Sequence, residues 1–257
     1  MVRVELGRGR LLMEVVEAIK GMVESAYFDF SPTQMSLNAI DSNGVIVNLV
    51  LRSNNFNSYE CPFEQTMGID LDRMYNVFQL CGHDDSLTLE SVRDYAVKLI
   101  FTSPDRDTIA TIELNLVSDF LWTDFVIKDT EPYAVVRMPS SGLESMCKML
   151  IVASDTIIIS VTKEQVKFSI ICDTGAIDYT FVQRTVPADK PEDETVIQMH
   201  ETMEPVSMMV DLEYLKVFTK ATLLSKTVTL KFCPDDNLVV VYQIPRFGFL
   251  KFCMPKE

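Results

Sequence analysis

Histidines, phosphate-binding glycine loops and other parts of an enzyme active site are scarce in this sequence. The 257 residues include two histidines, His83 and His200, so a Ser-His-Asp or Cys-His arrangement has little material. Both border polar segments, and we expect them at the surface. Neither Gly-x-x-x-x-Gly-Lys-Ser/Thr nor Gly-x-Gly-x-x-Gly occurs, so no nucleotide site is predicted. These absences favour a protein that is not an enzyme and needs no cofactor.

Signals for disulfide frameworks, zinc sites and membrane helices are also absent. The six cysteines are scattered, with no Cys-x-x-Cys pair and no histidine at zinc-ligand spacing, which favours buried free thiols. No apolar run approaches the roughly 18 residues of a membrane helix. We therefore expect no metal and no membrane partner.

Positive charge is in short supply. The chain has 23 Lys and Arg against 37 Asp and Glu, a formal net charge of −14. This balance ordinarily argues against nucleic acid, because phosphate binding depends on Lys and Arg. Net charge is an average over the surface, however, and an acidic protein can carry one locally basic face. The function class therefore depends on where the basic residues lie.

The chain contains two copies of one pattern. Ile69–Asp72 recurs as Val210–Glu213, and Asp85–Leu89 recurs as Lys226–Leu230, at offsets of about 141 residues. A second set of matches has an offset near 131: Leu12, Gln34 and Asp41 with Leu143, Gln165 and Asp173. We predict two tandem domains, residues 1–117 and 134–257, joined by a linker over 118–133. A duplicated chain carries pseudo-symmetry that head-to-tail contacts can continue until a ring closes.

Each copy is predicted to run helix, strands, helix, strands, which is an α+β pattern. Apolar residues recur at helical spacing near the start of the first copy: Leu12, Val15, Val16, Ile19 and Val23. A second helix is predicted over Asp70 to Cys81, ended by Gly82. Alternating apolar and polar residues separated by turn signals predict the strands between and after these helices.

The second copy is expected to repeat this order. Ser141 and Glu144 have the spacing of a capping box, so we predict a helix that follows Ser141 and ends at about Leu150. A fourth helix is predicted over Leu212 to about Ala221, followed by the last strands.

Two features between and within the copies have open interpretations. Val117 to Pro132 is unusually apolar for a linker, which is typical of a docking surface, although these side chains could equally fasten the linker to the domains. The pairs Asp84-Asp85 and Asp235-Asp236 could hold a metal for hydrolysis. We favour turns for both pairs, because Asp is expected at turns.

Several segments are similar, in order along the chain, to one family. They are Glu17–Lys20, Asp41-Ser42, Leu51–Ser53, Met67-Gly68, Met138–Ser140, Val166–Phe168, Glu204-Pro205, Phe218–Thr222, Leu224-Ser225, Thr227–Leu230 and Leu250–Phe252. Together they resemble the proliferating cell nuclear antigen family, the eukaryotic DNA sliding clamps. The resemblance covers essentially the whole chain, and it describes a divergent member.

This resemblance implies a head-to-tail homotrimer whose six domains form a ring, with helices lining a central hole and sheets outside. Duplex DNA would thread the ring without sequence preference, so that a bound polymerase cannot diffuse away. Ile109 to Leu116 of one subunit would pair with Ile177 to Gln183 of the next, which removes exposed strand edges. The interface side chains implied are Ile112, Leu114, Tyr179 and Phe181.

The polar faces of the four helices would then face DNA. Their basic residues are Lys20, Arg73, Lys148, Lys216 and Lys220. Lys20, Lys148 and Lys220 match positions that are basic in the family, whereas six positions carry other residues where Lys or Arg is usual: Met13, Glu14, Asn76, Gln79, Ser145 and Glu213. We expect a weakly basic lining and weak contact with phosphates, which suits sliding.

The resemblance also implies an apolar groove that accepts a short partner peptide, the PIP box. The matching positions are Ile40, Gly44, Val45, Ile46, Phe125, Ile127, Phe252, Cys253 and Met254. Gly44 replaces a usual histidine, and Cys253 stands where an aromatic residue is usual, so peptide preference is expected to differ. The partners implied are a replicative polymerase, the clamp loader, a flap endonuclease and DNA ligase.

Lys163 aligns with a lysine that the family modifies with ubiquitin or its relatives. A nuclear location follows from resemblance alone, because no basic localisation cluster is visible. Two alternatives stay open: a subunit of a heterotrimeric, checkpoint-type clamp, and, more distantly, a metal-dependent nuclease that uses the paired aspartates.

Overall fold

The computed structural model describes residues 1–93, 95–117, 130–172, 175–184, 191–199, 205–234 and 237–255. The chain forms two compact units. The first contains Met1–Asp41, Val47–Phe125 and Ile244–Leu250, and the second contains Ser42–Ile46, Val126–Gln243 and Lys251–Glu257. The described helices are all short, and none is long and apolar enough to cross a membrane.

The first copy of the pattern contains nine strands and two helices within its described residues. They are β1 (Arg3–Leu6), α1 (Arg10–Ile19), β2 (Ser25–Phe30), β3 (Gln34–Ile40), β4 (Ile46–Arg52), β5 (Ser58–Glu60), β6 (Gln65–Asp70), α2 (Leu71–Phe78), β7 (Ser86–Arg93), β8 (Ala96–Thr102) and β9 (Ile109–Asn115). A 3-10 turn, Ser53–Asn55, follows β4.

The second copy has the same order in the part of the chain that is described. Its elements are β10 (Ala134–Pro139), α3 (Ser140–Leu150), β11 (Thr156–Val161), β12 (Gln165–Cys172), β13 (Gly175–Val182), β14 (Val196–Met199), β15 (Val206–Asp211), α4 (Leu212–Phe218), β16 (Thr227–Phe232), β17 (Asn237–Ile244) and β18 (Gly248–Pro255). The 3-10 segments Pro191–Asp193 and Thr219–Leu223 precede β14 and follow α4.

The strand connections of the two copies are identical. In the first copy the neighbour orders are β5-β1-β7-β8-β9 and β4-β3-β2-β6, and in the second they are β14-β10-β16-β17-β18 and β13-β12-β11-β15. Neighbouring strands with a described register run antiparallel. For example, Ile112 of β9 lies opposite Leu99 of β8, and Tyr179 of β13 lies opposite Phe168 of β12. The prediction of an α+β chain with two tandem, similar domains is therefore confirmed.

The helices follow the predicted apolar stripes, but their ends differ from the predictions. In α1 the stripe Leu12, Val15, Val16 and Ile19 is buried. Helix α2 ends at Phe78 rather than Cys81, and α4 ends at Phe218, after which the chain continues as a 3-10 helix. Short apolar stripes do not distinguish a last α-turn from a 3-10 turn, because both bury residues three apart.

The capping box predicted at Ser141 is wrong. The N-cap of helix α3 is Pro139, two residues before Ser141, and it makes no side-chain cap bond, so the helix already begins at Ser140. Ser140 instead donates a 2.6 Å hydrogen bond from Oγ to the Ser225 carbonyl oxygen. The serine next to the helix start is thus used for a tertiary contact, which local spacing does not predict.

Each unit has a buried aliphatic and aromatic core, and one glycine in the first unit is required by close packing. Phe28 and Phe168 are both fully buried. A Cβ at Gly248 would lie 1.9 Å from the Val50 carbonyl oxygen, so no other residue fits there without moving the backbone.

Candidate functional site

The two basic candidates on the first unit's helices are already paired. Lys20 is the C-cap residue of α1, and its Nζ lies 3.2 Å from Oδ1 of Asp72. The same ammonium lies 4.4 Å from the centroid of the Tyr75 ring. Arg73 Nε lies 3.3 Å from Oδ2 of Asp70, the N-cap of α2. The two Lys20 contacts join the end of α1 to the first two turns of α2, whereas the Arg73 pair lies within α2 and its N-cap.

The second unit's candidates divide into paired and unpaired residues. Lys148 donates to Glu144 one turn earlier on α3, and Lys216 lies 3.7 Å from Glu213 on α4. Lys220 is exposed on the 3-10 segment after α4. Within the described residues, no carboxylate oxygen lies within 4.0 Å of its ammonium.

Sequence reasoning found the cations but missed their acidic partners. Spacings of three or four residues could have found the partners of Lys148 and Lys216, because such positions adjoin on a helix. Asp72 is 52 residues from Lys20, and only the packing of α1 against α2 brings them together. Exposed pairs of this kind are weak and screened by salt. Another anion that binds one of the four paired cations must therefore displace its carboxylate, whereas Lys220 has no described carboxylate to displace.

The predicted interface strands are sheet edges within their units. Within the described residues, β9 pairs with β8 and with no other strand of its sheet, and β13 pairs only with β12. On β9, Ile112 and Leu114 are half-buried, and on β13 Tyr179 and Phe181 are half-buried. An edge strand presents a row of unpaired backbone N–H and C=O groups, with which a further strand can pair.

Aromatic packing orders the second of these edges. The Phe181 ring packs edge to face on Phe168 at 5.9 Å and lies 5.1 Å from the Tyr179 ring. A Cβ on Gly142 of α3 would lie 3.0 Å from Cε1 of Phe181. Asp178, the residue before Tyr179 in β13, accepts a 2.6 Å hydrogen bond from the Ser169 hydroxyl. This hydrogen bond holds the pKa of the Asp178 carboxyl below its usual value. Both faces of β13 are therefore held by neighbours.

The second unit contains part of the predicted peptide groove. Gly44 is exposed with φ +83°, a left-handed conformation that favours glycine. Asn43 beside it donates a 2.7 Å hydrogen bond from Nδ2 to the Tyr214 hydroxyl. Val45 is buried and Ile46 is half-buried. Tyr214 was missed because it lies 171 residues along the chain from Asn43.

The C-terminal groove candidates have buried side chains. Phe252 is fully buried and stacks on Phe218, with ring centroids 4.4 Å apart and planes 11° apart. Cys253 and Met254 are also buried. Phe252, Cys253 and Met254 are consecutive in β18, so the strand is covered on both faces at this end. Of the other candidates, Ile40 ends β3 in the first unit, while Phe125 and Ile127 lie outside the described residues.

The remaining predicted positions that the structure describes are in turns. Lys163 is exposed between β11 and β12. Asp85 accepts a 2.8 Å hydrogen bond from the Gly82 amide, as expected of a turn residue, and His83 Nδ1 lies 3.1 Å from exposed Asp84. His200, Asp235 and Asp236 lie outside the described residues.

No catalytic arrangement is apparent in the described parts of the chain. No three His, Cys, Asp or Glu side chains there could hold a metal together. None of the six cysteines forms a disulfide, and four of them are buried. Burial raises the pKa of Cys81 to about 11, so this thiol is protonated at neutral pH and is a poor nucleophile.

Comparison with known proteins matches both copies of the pattern. The model of the proliferating cell nuclear antigen N-terminal domain matches residues 1–120, and that of the C-terminal domain matches residues 126–257. Proliferating cell nuclear antigen from Dictyostelium discoideum is 37% identical over 257 residues, covering 98% of this chain and 97% of the relative. The checkpoint-type clamp and the nuclease receive no support from these matches.

These matches extend over both copies of the fold, so the family assignment does not depend on one motif. The family is one of non-catalytic clamps that encircle DNA as homotrimers and bind replication and repair proteins. The chain belongs to the proliferating cell nuclear antigen family and is a DNA sliding clamp and polymerase processivity factor.

Proposed function

We propose that this clamp closes its ring by pairing β9 of one subunit with β13 of the next. The observation that carries the proposal is that β9 and β13 are edge strands of similar length, one in each unit, and that both bear half-buried apolar side chains: Ile112, Leu114, Tyr179 and Phe181. Head-to-tail pairing of unlike edges generates a ring when the rotation closes. The domain boundaries proposed with it are 1–117 and 134–257, with 118–133 connecting them.

Two complementary variants test this pairing. Ile112→Lys damages the β9 edge and Tyr179→Lys damages the β13 edge. Each alone is expected to sediment near the 29.2 kDa of one chain. Their equimolar mixture is expected to give a dimer, because each variant retains the edge that the other lacks. Phe63→Lys is the matched control, since Phe63 is an exposed apolar residue outside both edges, and it should leave the trimer intact.

A trimer in either single variant would overturn the proposed interface. Circular dichroism of each variant distinguishes loss of assembly from loss of fold. A mixture that stays monomeric, with both variants folded, would show that the two edges are not partners.

The polar helix faces are proposed to face the DNA through Lys20, Arg73, Lys148, Lys216 and Lys220. Support comes from their placement on the helices or immediately after them, and from the exposure of Lys220. Contacts with phosphates that are weak and independent of sequence allow sliding, while ring closure provides the retention.

Replacing Lys20 and Lys220 together by Glu is expected to reduce loading and polymerase stimulation without changing the oligomer. The control exchanges two lysines outside the four helices, Lys226 and Lys231, for Glu. Unchanged stimulation in the Lys20 and Lys220 variant, or an equal loss in the control, would refute the assignment.

Partner docking is proposed at Ile40, Gly44, Val45, Ile46, Phe125, Ile127, Phe252, Cys253 and Met254. An apolar groove with an aromatic and an aliphatic anchor suits a helical-turn peptide, and the proposed partners are a replicative polymerase, the clamp loader, a flap endonuclease and DNA ligase. Ile127→Ala should weaken binding of a PIP-box peptide measured by calorimetry. Unchanged affinity would place the groove elsewhere.

Two further proposals concern location and modification. A replication clamp acts where chromosomal DNA is copied, so we expect the protein in the nucleus. Lys163 is an exposed turn residue and is proposed as a site for ubiquitin or a related modifier. Lys163→Arg should abolish the modified band in a conjugation reaction, and persistence of that band would exclude this lysine as the acceptor.

A further inference from the structure

The basic residues on the helices share one feature: most of them have an acidic partner. The pairs are Asp72 with Lys20, Asp70 with Arg73, Glu144 with Lys148, and Glu213 with Lys216. Such pairs occur in both units and on all four helices. Three of them join residues three or four positions apart, and the fourth joins α1 to α2.

The four helix segments carry almost no net charge. From Arg10 to Lys20, Asp70 to Phe78, Ser140 to Leu150 and Asp211 to Leu223, the sequence contains six basic and seven acidic residues. Affinity for a duplex comes largely from cations that replace the counterions condensed on its phosphates. A cation that is already neutralised by a carboxylate must give up one anion to accept another, so its net gain is small.

We propose that Asp72, Glu144 and Glu213 are affinity-tuning residues, which hold the DNA-facing lysines in internal ion pairs so that each phosphate contact is an exchange of anions. This inference rests on the proposed DNA-facing role of the helices. It assigns a function to acids that would otherwise only oppose DNA binding. Contacts remain brief because the carboxylate reclaims its lysine as the DNA moves.

Lys20 is the most constrained of these cations. Its side chain is 27% exposed, whereas Asp72 is 68% exposed, so the acid can be changed without opening the core. The Tyr75 ring would keep the ammonium in place after the acid is neutralised. Asp72→Asn therefore removes the competing anion while leaving the cation on the helix face.

The test measures binding of the assembled trimer to a short, fluorescently labelled linear duplex. Fluorescence anisotropy at several salt concentrations gives the affinity. Asp72→Asn is expected to tighten binding roughly two- to fivefold, the range that an exposed ion pair supports. The slope of log K against log salt should steepen by up to about one for each lysine that gains a phosphate.

Glu90→Gln is the matched control, because it removes the same charge from an ion pair with Arg3 on strands β1 and β7. It is expected to leave the affinity and the salt slope unchanged. Glu144→Gln repeats the test on α3, away from the first turn of α2, where a negative charge at position 72 also stabilises the helix. Melting curves establish that each variant is folded.

The outcomes separate this inference from the proposed function. Equal tightening by Asp72→Asn and Glu90→Gln would reduce the effect to net charge and overturn the inference. If both Asp72→Asn and Glu144→Gln leave binding unchanged while the Lys20 and Lys220 exchange weakens it, the inference fails and the DNA-facing helices stand. If that lysine exchange also has no effect, the DNA-facing assignment itself fails.

Discussion

The two copies have the same topology but differ in the ion pairs on their helices. The second helix of each is capped by an aspartate, Asp70 or Asp211, whose carboxylate accepts a hydrogen bond from the amide three residues later. In the first unit Lys20 is paired across two helices, whereas Lys148 in the second is paired within one. The shared caps form part of the fold, whereas these differing ion pairs are at the surface. Duplication thus preserved the core pattern while surface contacts diverged.

The largest expected effect concerns the aromatic residue that ends the second helix of each unit. Phe78 packs edge to face on Phe101 at 5.9 Å, and Phe218 stacks on Phe252 at 4.4 Å. Replacing either by Ala should destabilise the protein by about 3–5 kcal/mol, because a large cavity remains. Phe218→Ala should cost more, since Phe218 is fully buried and Phe78 is 3% exposed. Urea unfolding at fixed protein concentration measures both, and a larger loss for Phe78→Ala would contradict the ranking.

The repeated helix caps give an intermediate effect. Asp70→Ala and Asp211→Ala should each cost about 1 kcal/mol, because each leaves a helix amide without its acceptor. Equal losses of unfolding free energy would show that the duplicated cap stabilises its helix equally in both units. Asn at either position should restore most of the stability, which separates the cap from the charge. A difference of several-fold between the two alanine variants would break the equivalence.

The smallest effect concerns the first helix of each unit, where Val16 and Cys147 occupy equivalent buried positions. Burial raises the pKa of Cys147 from 9.0 to about 12. The folded state therefore favours the neutral thiol, and its contribution is complete below pH 9 and is lost as the pH rises towards 12.

The check on this thiol is the difference between the original protein and Cys147→Val as a function of pH. Between a pH well below 9 and pH 9.5, the free energy of unfolding of the original protein should fall by roughly 0.8 kcal/mol more than that of the variant. This difference comes from the linkage between thiol ionisation and folding. Other groups that titrate in this range affect both proteins and cancel in the difference. Parallel stability curves from pH 8 to 10.5 would show that the thiol does not contribute.

Much of the fold could be predicted because apolar residues repeat with the period of each element. The stripe in α1 and the alternation in β2, β3 and β4 identify which side chains are buried. The exact helix ends could not be predicted in the same way. Ser140 bonds to the Ser225 carbonyl, and a contact over 85 residues leaves no local signal.

The candidate site was predictable in part. Lys148 and Lys216 could be placed on helix faces from spacing, and their partners lie within one turn. The hydrogen bond from Asn43 to Tyr214 and the ion pair from Lys20 to Asp72 depend on elements that are distant in the chain. Such contacts require the packed structure.

The sequence by itself determined the duplication, the α+β class and the family, because these depend on periodicity and on motifs that are contiguous in the chain. Only the tertiary structure decided which strands are edges and which acid neutralises Lys20. It also placed Phe252 in the core against Phe218. The physical reason is that burial pattern is a local property of the chain, whereas pairing between charges, edges and rings is set by the distances that packing creates.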